Sequence, residues 1–180
     1  GFLKNRGVTS ALQLALNKRK SKQWVFKTDV KAFFDNINRD DLKVKIKKVI
    51  QERSLHDLLT RSIECEIQEI NSNKKKLRSL GILQGRGVRQ GMPLSPFFSN
   101  VVLEKFDIAV VKTGYSAIRY ADDLIFFAKD ESQCYEIESF CMRQLRKESL
   151  EIPSSEDPNS KSKIYKPSEE AEFLGLAICK

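Results

Sequence analysis

Three aspartates give this chain its clearest chemistry. Asp122 and Asp123 stand together in Tyr120-Ala121-Asp122-Asp123, between the apolar runs Ala117-Ile118 and Leu124-Ile125-Phe126-Phe127-Ala128. Two β-prone runs with almost nothing between them predict a hairpin whose turn falls at about Ala121-Asp122. An Asp-Asp pair in a turn is by itself most often a solvated cap on its own backbone. Upstream, however, Trp24-Val25-Phe26-Lys27-Thr28-Asp29-Val30 reads as a short buried strand that ends at a carboxylate. If that strand lies beside the hairpin, three carboxylates meet at one edge of a sheet. Like charges so close raise one another's pKa unless a cation sits among them. Mg²⁺ is the natural cation, a hard ion that takes oxygen ligands and keeps room for substrate phosphates. Two such ions about 3.5–4 Å apart would activate an attacking hydroxyl and stabilise a leaving pyrophosphate during nucleotidyl transfer. This chemistry needs neither imidazole nor thiol. The chain has one histidine, His56, and its four cysteines, Cys65, Cys134, Cys141 and Cys179, lack the Cys-x-x-Cys spacing of a zinc site.

The elements that must position these residues follow from periodicity. Val8, Ala11, Leu12, Ala15 and Leu16 recur at helical spacing ahead of Lys18, Arg19, Lys20 and Lys22, cations that suit a helix C-terminus. After the Asp29 strand, Asn38 can cap a helix with Leu42, Ile46, Val49 and Ile50 on its apolar stripe, and Ser54 another with Leu55, Leu58, Leu59, Ser62 and Ile63. From Gln68 to Gln90 the period is lost, and Lys74, Lys75, Lys76, Arg78, Arg86 and Arg89 make a basic segment of strands or loops with glycines at 81, 85 and 87. Ser95-Pro96 predicts an N-cap and first turn of a helix that runs to about Lys112, before Thr113-Gly114. A helix over about Ser132 to Lys147 offers Tyr135, Ile137, Phe140, Cys141 and Leu145 to a core, and Ile152 to Asn159 is a loop. Ile164-Tyr165 and Glu172 to Cys179 read as strands. The order predicts an α+β domain with a small antiparallel sheet packed on helices.

A chain of 180 residues with 41% hydrophobic residues suits one domain with its own core. Its formal net charge of +8 favours a polyanionic partner, foremost nucleic acid. The longest apolar tract, Phe97 to Val111, is broken by Ser99, Asn100, Glu104, Lys105 and Asp107, so no span of a bilayer is expected, and unpaired thiols fit the cytosol.

Together these residues resemble the reverse transcriptases. Phe26-Lys27-Thr28-Asp29-Val30-Lys31-Ala32-Phe33-Phe34-Asp35-Asn36-Ile37 is similar to that family's first catalytic motif, Arg89-Gln90-Gly91-Met92-Pro93-Leu94-Ser95-Pro96 with Ser99-Asn100 to its second, and Tyr120-Ala121-Asp122-Asp123 to its third. Lys161-Ser162-Lys163-Ile164 resembles its lysine motif and Phe173-Leu174-Gly175 the strand that follows. In shape the motifs look like those of group II intron, retron and related bacterial or organellar enzymes, while Gly87-Val88-Arg89-Gln90-Gly91 also resembles non-LTR retroelements.

The resemblance implies an RNA-directed DNA polymerase palm that adds deoxynucleotides to a primer 3′ end, with RNA template, primer strand and dNTPs as partners. Asp29 and Asp122 would be the main ligands of two Mg²⁺ ions, with Mn²⁺ as the alternate. The Val30 carbonyl would join them, and Asp123 would hold the second ion or the primer end. Phe34 would fill the space of a ribose 2′-OH. Ala32 and Phe33 would offer backbone N–H groups to the triphosphate, and Gln90 with Gly91 would contact nucleotide and template. Arg86, Arg89 and Tyr120 are the expected nucleic-acid contacts. Lys161 would donate a proton to pyrophosphate, with Lys163 and Lys166 as near competitors in sequence. Phe33 and Phe34 also read as core aromatics, of which alternation buries one, and Asp35 also reads as a helix cap.

The expected segments are residual fingers with a fingers–palm helix over 1–24, a first part of the palm over 25–67, a basic connection over 68–90, and the rest of the palm over 91–180. On this reading most of the fingers and the thumb belong to a longer parent chain, and the fragment alone is weakly active. The alternatives are an untemplated or protein-primed DNA polymerase of phage defence, and a non-catalytic palm-like module that binds RNA.

Overall fold

The computed structural model describes residues 7–66, 79 and 82–179. Lys74, Lys75, Lys76 and Arg78 of the basic segment lie outside the described residues. In chain order the elements are α1 (Val8–Ser21), β1 (Trp24–Asp29), α2 (Phe33–Asn36), α3 (Arg39–Val49), a 3₁₀ turn (Arg53–Leu55), α4 (His56–Glu64), α5 (Ser95–Val102), α6 (Glu104–Thr113), β2 (Ser116–Tyr120), β3 (Asp123–Ala128), α7 (Glu131–Arg146), β4 (Lys163–Tyr165), β5 (Ala171–Phe173) and β6 (Leu176–Ile178). The fold is α+β, and it divides into two compact units, Gly1–Lys31 with Lys105–Lys180, and Ala32–Glu104.

The first unit is built on an antiparallel sheet of order β2-β3-β1-β4. Alternation along β1 and β3 sends Val25, Ile125 and Phe127 to one face, where they pack with Leu12 and Ala15 of α1, Ile118 of β2, and Ala171, Phe173 and Ile178 of the β5–β6 hairpin. Phe26 and Phe126 point to the other face, with ring centroids 6.2 Å apart, and α7 lies on that side of β1 and β3. Both faces of the central strands are covered, which explains why β3 reads Leu-Ile-Phe-Phe-Ala without polar alternation.

Several sequence expectations need correction here. Arg19, expected among the cations that suit the C-terminus of α1, is fully buried and donates to the carbonyls of Gln23, Lys166 and Glu169. Burial lowers its pKa below the usual guanidinium value, with partial relief from acidic neighbours. Val8 and Leu16 are exposed instead, because the buried stripe runs through Leu12, Ala15 and Arg19. Asp130 caps α7 by accepting from the Gln133 N–H, and Tyr135 faces outward. The final apolar run is a hairpin rather than one strand: Leu174 at φ 51° and Gly175 at φ 78° make the tight turn between β5 and β6.

In the second unit, Asn38 caps α3 as expected, accepting from the N–H groups of Asp40 and Asp41. Ser54 caps nothing; its N–H and hydroxyl both donate to Glu52, which starts the 3₁₀ turn. The expected helix from Ser95 to Lys112 is two helices, separated at Leu103. Ser95 lies inside the first turn of α5, where Leu94 takes the N-cap position, and its hydroxyl donates to the Arg89 carbonyl at 2.7 Å. Among the described residues no helix is long and apolar enough to cross a membrane.

Candidate active site

The first unit brings the three aspartates together. In the β1–β3 ladder Asp29 pairs directly with Asp123, and Asp122 sits in the two-residue turn between β2 and β3. That turn puts Ala121 at φ 54°, a left-handed conformation costly for a residue with a Cβ. Arg119 supports it from the preceding strand. Its guanidinium makes a two-pronged ion pair with Asp107 of α6 and donates to the Ala121 carbonyl at 3.0 Å.

Electrostatics follow from this crowding. Burial raises the Asp122 carboxyl above its usual value, and the charges of Asp123 and Asp29 raise it further, while Lys161 works the other way. Burial also raises Asp123, opposed by Lys27 and reinforced by Asp29. The cations are specific. Lys161 Nζ donates to Asp29 Oδ2 at 2.9 Å, and that hydrogen bond raises its own pKa. Lys27 Nζ lies 4.0 Å from Asp123 Oδ1.

Sequence reasoning missed both Lys27 and Arg119. For Lys27 a signal existed: Lys27-x-Asp29 puts both side chains on one face of β1. Arg119 had none, because its partner lies on a different element. Of the three lysines that compete in sequence, the structure brings Lys161 to the carboxylates and leaves Lys163 exposed at the start of β4. Val30, whose carbonyl is an expected ligand, follows β1 with its side chain buried. Tyr120 is half-buried against the core under β2.

Among the described residues, no three His, Cys, Asp or Glu side chains converge closely enough to enclose a metal ion. The donor set nevertheless suits a hard divalent cation: carboxylate oxygens on adjacent strands, two of them with raised pKa and short of positive charge.

The remaining expected residues belong to the second unit. Ala32 takes the left-handed conformation (φ 43°) just before α2. Phe33 is buried and Phe34 partly exposed, their rings edge-to-face at 5.1 Å. One of the two aromatics is therefore core and the other is not, and they lie on a helical turn rather than on a strand. Asp35 is inside that turn and does not cap the next helix. Gln90 and Gly91 are exposed in the turn before α5.

Arg89, expected to face nucleic acid, is a correction. It is buried, with its guanidinium on Glu66 Oε2 at 3.0 Å and on the carbonyls of Leu83 and Arg86. Glu66 also takes Arg39 Nη1 at 2.5 Å and the Gly85 N–H at 2.8 Å. Burial alone would raise the Glu66 carboxyl, but these donors and both arginine charges bring it below its usual value. Arg86 itself is exposed and offers its carbonyl to this cluster.

Comparison with known proteins agrees with this architecture. The profile of a family described as reverse transcriptase (RNA-dependent DNA polymerase) matches residues 1–178. Among solved structures, apo telomerase from Candida tropicalis truncated from the C-terminal domain is similar, with a TM-score of 0.59 at 16% identity. That match covers 96% of this chain and 38% of the telomerase chain, and at such identity the likeness is one of fold. With nearly its whole length matched by the profile, the chain belongs to the reverse transcriptase family.

Proposed function

We propose that this chain is the catalytic palm of an RNA-directed DNA polymerase, joining a deoxynucleotide to a primer 3′ end on an RNA template. The observation that carries the reading is the register of Asp29 against Asp123 with Asp122 in the adjoining turn. Asp29, Asp122 and the Val30 carbonyl would hold Mg²⁺, and Asp123 a second ion or the primer end. When bound, the ions supply an activated 3′-hydroxyl and charge neutralisation of the pyrophosphate. Lys161 keeps its proton at the edge of this cluster, because Asp29 favours the ammonium form. That proton is the one it would donate to the leaving group. Lys27 holds a second ammonium beside Asp123.

In the second unit Phe34 would exclude a ribose 2′-OH. The Ala32 and Phe33 N–H groups would meet the triphosphate, and Gln90 with Gly91 the base pair being formed. Arg86 and Tyr120 would contact the nucleic-acid strands, with the net charge of +8 adding salt-dependent attraction. The four segments 1–24, 25–67, 68–90 and 91–180 would serve as residual fingers, first palm, connection and second palm. Without further grip on template and duplex the chain alone would extend primers poorly.

The test is primer extension on RNA by a polypeptide carrying this chain with fingers and thumb, alongside its Asp122→Asn and Phe34→Ala variants. Extension with deoxynucleotides by the parent, loss in Asp122→Asn and entry of ribonucleotides in Phe34→Ala are expected. If parent and Asp122→Asn bind RNA equally and neither extends, the chain is an RNA-binding module on a palm fold.

A further inference from the structure

Lys161 lies on a loop, yet its ammonium reaches Asp29 across 132 residues of sequence. The Lys161 side chain is 77% exposed on a flexible four-carbon stem, so what the fold can fix is the backbone that carries it. Support for that backbone is visible one residue to either side. Ser160 and Ser162 are both buried, and the Ser162 N–H donates to Ser160 Oγ at 2.9 Å, tightening the loop around Lys161. The Ser162 hydroxyl donates to the Pro153 carbonyl at 2.6 Å. Its single proton is thereby committed, so the 2.5 Å contact between Ser162 Oγ and Thr28 Oγ1 takes its proton from Thr28. Thr28 has no exposed surface and immediately precedes Asp29 on β1. It also lies 3.3 Å from the Asp29 carbonyl, a weaker second acceptor. The residue before Asp29 is thus tied to the residue after Lys161 by a short buried hydroxyl chain that ends on a backbone carbonyl.

We propose that the Thr28–Ser162 hydroxyl pair is a positioning device for the catalytic centre, fixing the Lys161 ammonium on Asp29. Neither hydroxyl touches a reacting atom; both act through the lysine. The functional half of this inference rests on the polymerase reading, whereas the geometric half stands without it.

Two experiments keep those halves apart. In the first, the chain is treated with a zero-length carbodiimide, which joins an amine to a carboxylate already in contact, and the Asp29–Lys161 cross-link is quantified by mass spectrometry. Loss of one buried hydrogen bond should lower the cross-link yield about fivefold in Ser162→Ala and in Thr28→Val. Ser162→Thr, which keeps the hydroxyl, should restore it. If Ser162→Ala does not fold, the double variant Thr28→Val with Ser162→Ala removes both partners of the 2.5 Å contact and replaces the single variant. In the second, kcat for primer extension is measured in a cycle of Ser162→Ala and Lys161→Ala. A positioning role requires Ser162→Ala to lower kcat, with KM for the primer–template unchanged, and to have no further effect once Lys161 is alanine. Unchanged cross-linking in a folded hydroxyl-free variant overturns the proposal, and so does a multiplicative effect of the two substitutions on kcat. Absence of extension by the parent overturns the polymerase reading and leaves the cross-linking result to decide the geometry.

Discussion

Asp29 stands directly across the β1–β3 ladder from Asp123, a like-charged cross-strand pair that costs the sheet stability. The nearest compensation is partial: Lys161 serves Asp29 at 2.9 Å, and Lys27 approaches Asp123 only to 4.0 Å. Asp123→Asn should therefore stabilise the chain by about 0.5–1 kcal/mol in urea unfolding at neutral pH. On the polymerase reading the same substitution impairs primer extension. A destabilised Asp123→Asn would mean that Lys27 outweighs the repulsion.

Arg119 holds the carboxylate-bearing turn to helix α6 through Asp107 and the Ala121 carbonyl. Its side chain is mostly buried, and removal takes a donor from the Ala121 carbonyl and the guanidinium from Asp107, a carboxylate that is 41% exposed and open to water. Arg119→Ala should cost about 1–3 kcal/mol. Arg119→Lys should recover only part, since an ammonium cannot reproduce the two-pronged pair. Equal stability of the lysine and wild-type proteins in urea would show that charge alone matters there.

What the sequence discloses and what it hides divide along range of interaction. The hairpin at Ala121-Asp122, strand β1 and the Asn38 cap rest on neighbours in sequence, and each is found where local pattern puts it. Arg19, Arg89 and Ser95 look like a helix-end cation, a nucleic-acid contact and a helix cap, yet each is spoken for by a carbonyl or carboxylate. For Arg19 and Arg89 those partners include residues many positions away: Lys166 and Glu169 for the first, Glu66 for the second. No pattern in a basic segment distinguishes Arg86, left exposed, from Arg89, drawn inward by one glutamate. Leu174-Gly175 hides for a different reason: leucine is a poor turn residue, and only the hairpin it closes obliges it to take a positive φ.

Gly87 carries a constraint that its place in the sequence does not announce. It adopts φ 69°, and a Cβ there would lie 2.5 Å from the Phe34 carbonyl oxygen and 2.7 Å from that of Asp35. The close approach lets the Gly87 and Val88 N–H groups donate to the Ile37 and Phe34 carbonyls, fastening the loop to α2. Gly87→Ala should destabilise by about 2 kcal/mol or more, combining backbone strain with steric conflict against backbone atoms. Thermal unfolding of Gly87→Ala beside Gly85→Ala separates the two causes. Gly85 also has a positive φ (77°), but nothing lies within 4 Å of its Cβ position.

Acid titration should expose two opposed contributions to stability. Asp122 and Asp123 have folded pKa values above the ordinary 3.8, with burial the largest cause for both. On acidification the folded state takes up their protons before the unfolded chain does, so stability rises as pH falls through the folded values and the gain is complete below 3.8. Glu66 behaves in the opposite way. Its folded pKa lies below 4.5, so its contribution is fully present above 4.5 and is lost as pH falls through the folded value. Urea unfolding from pH 7 downward should accordingly show stability increase in the mildly acidic range and then fall. Asp122→Asn should flatten the rise and leave the fall. Glu66→Gln should weaken the chain at pH 7, because Arg39 and Arg89 lose their shared carboxylate, and should flatten the fall. A wild-type curve that declines steadily from pH 7, unaltered by Asp122→Asn, would show that the half-buried aspartates do not govern acid stability and that their mutual repulsion is already relieved by Lys27 and Lys161.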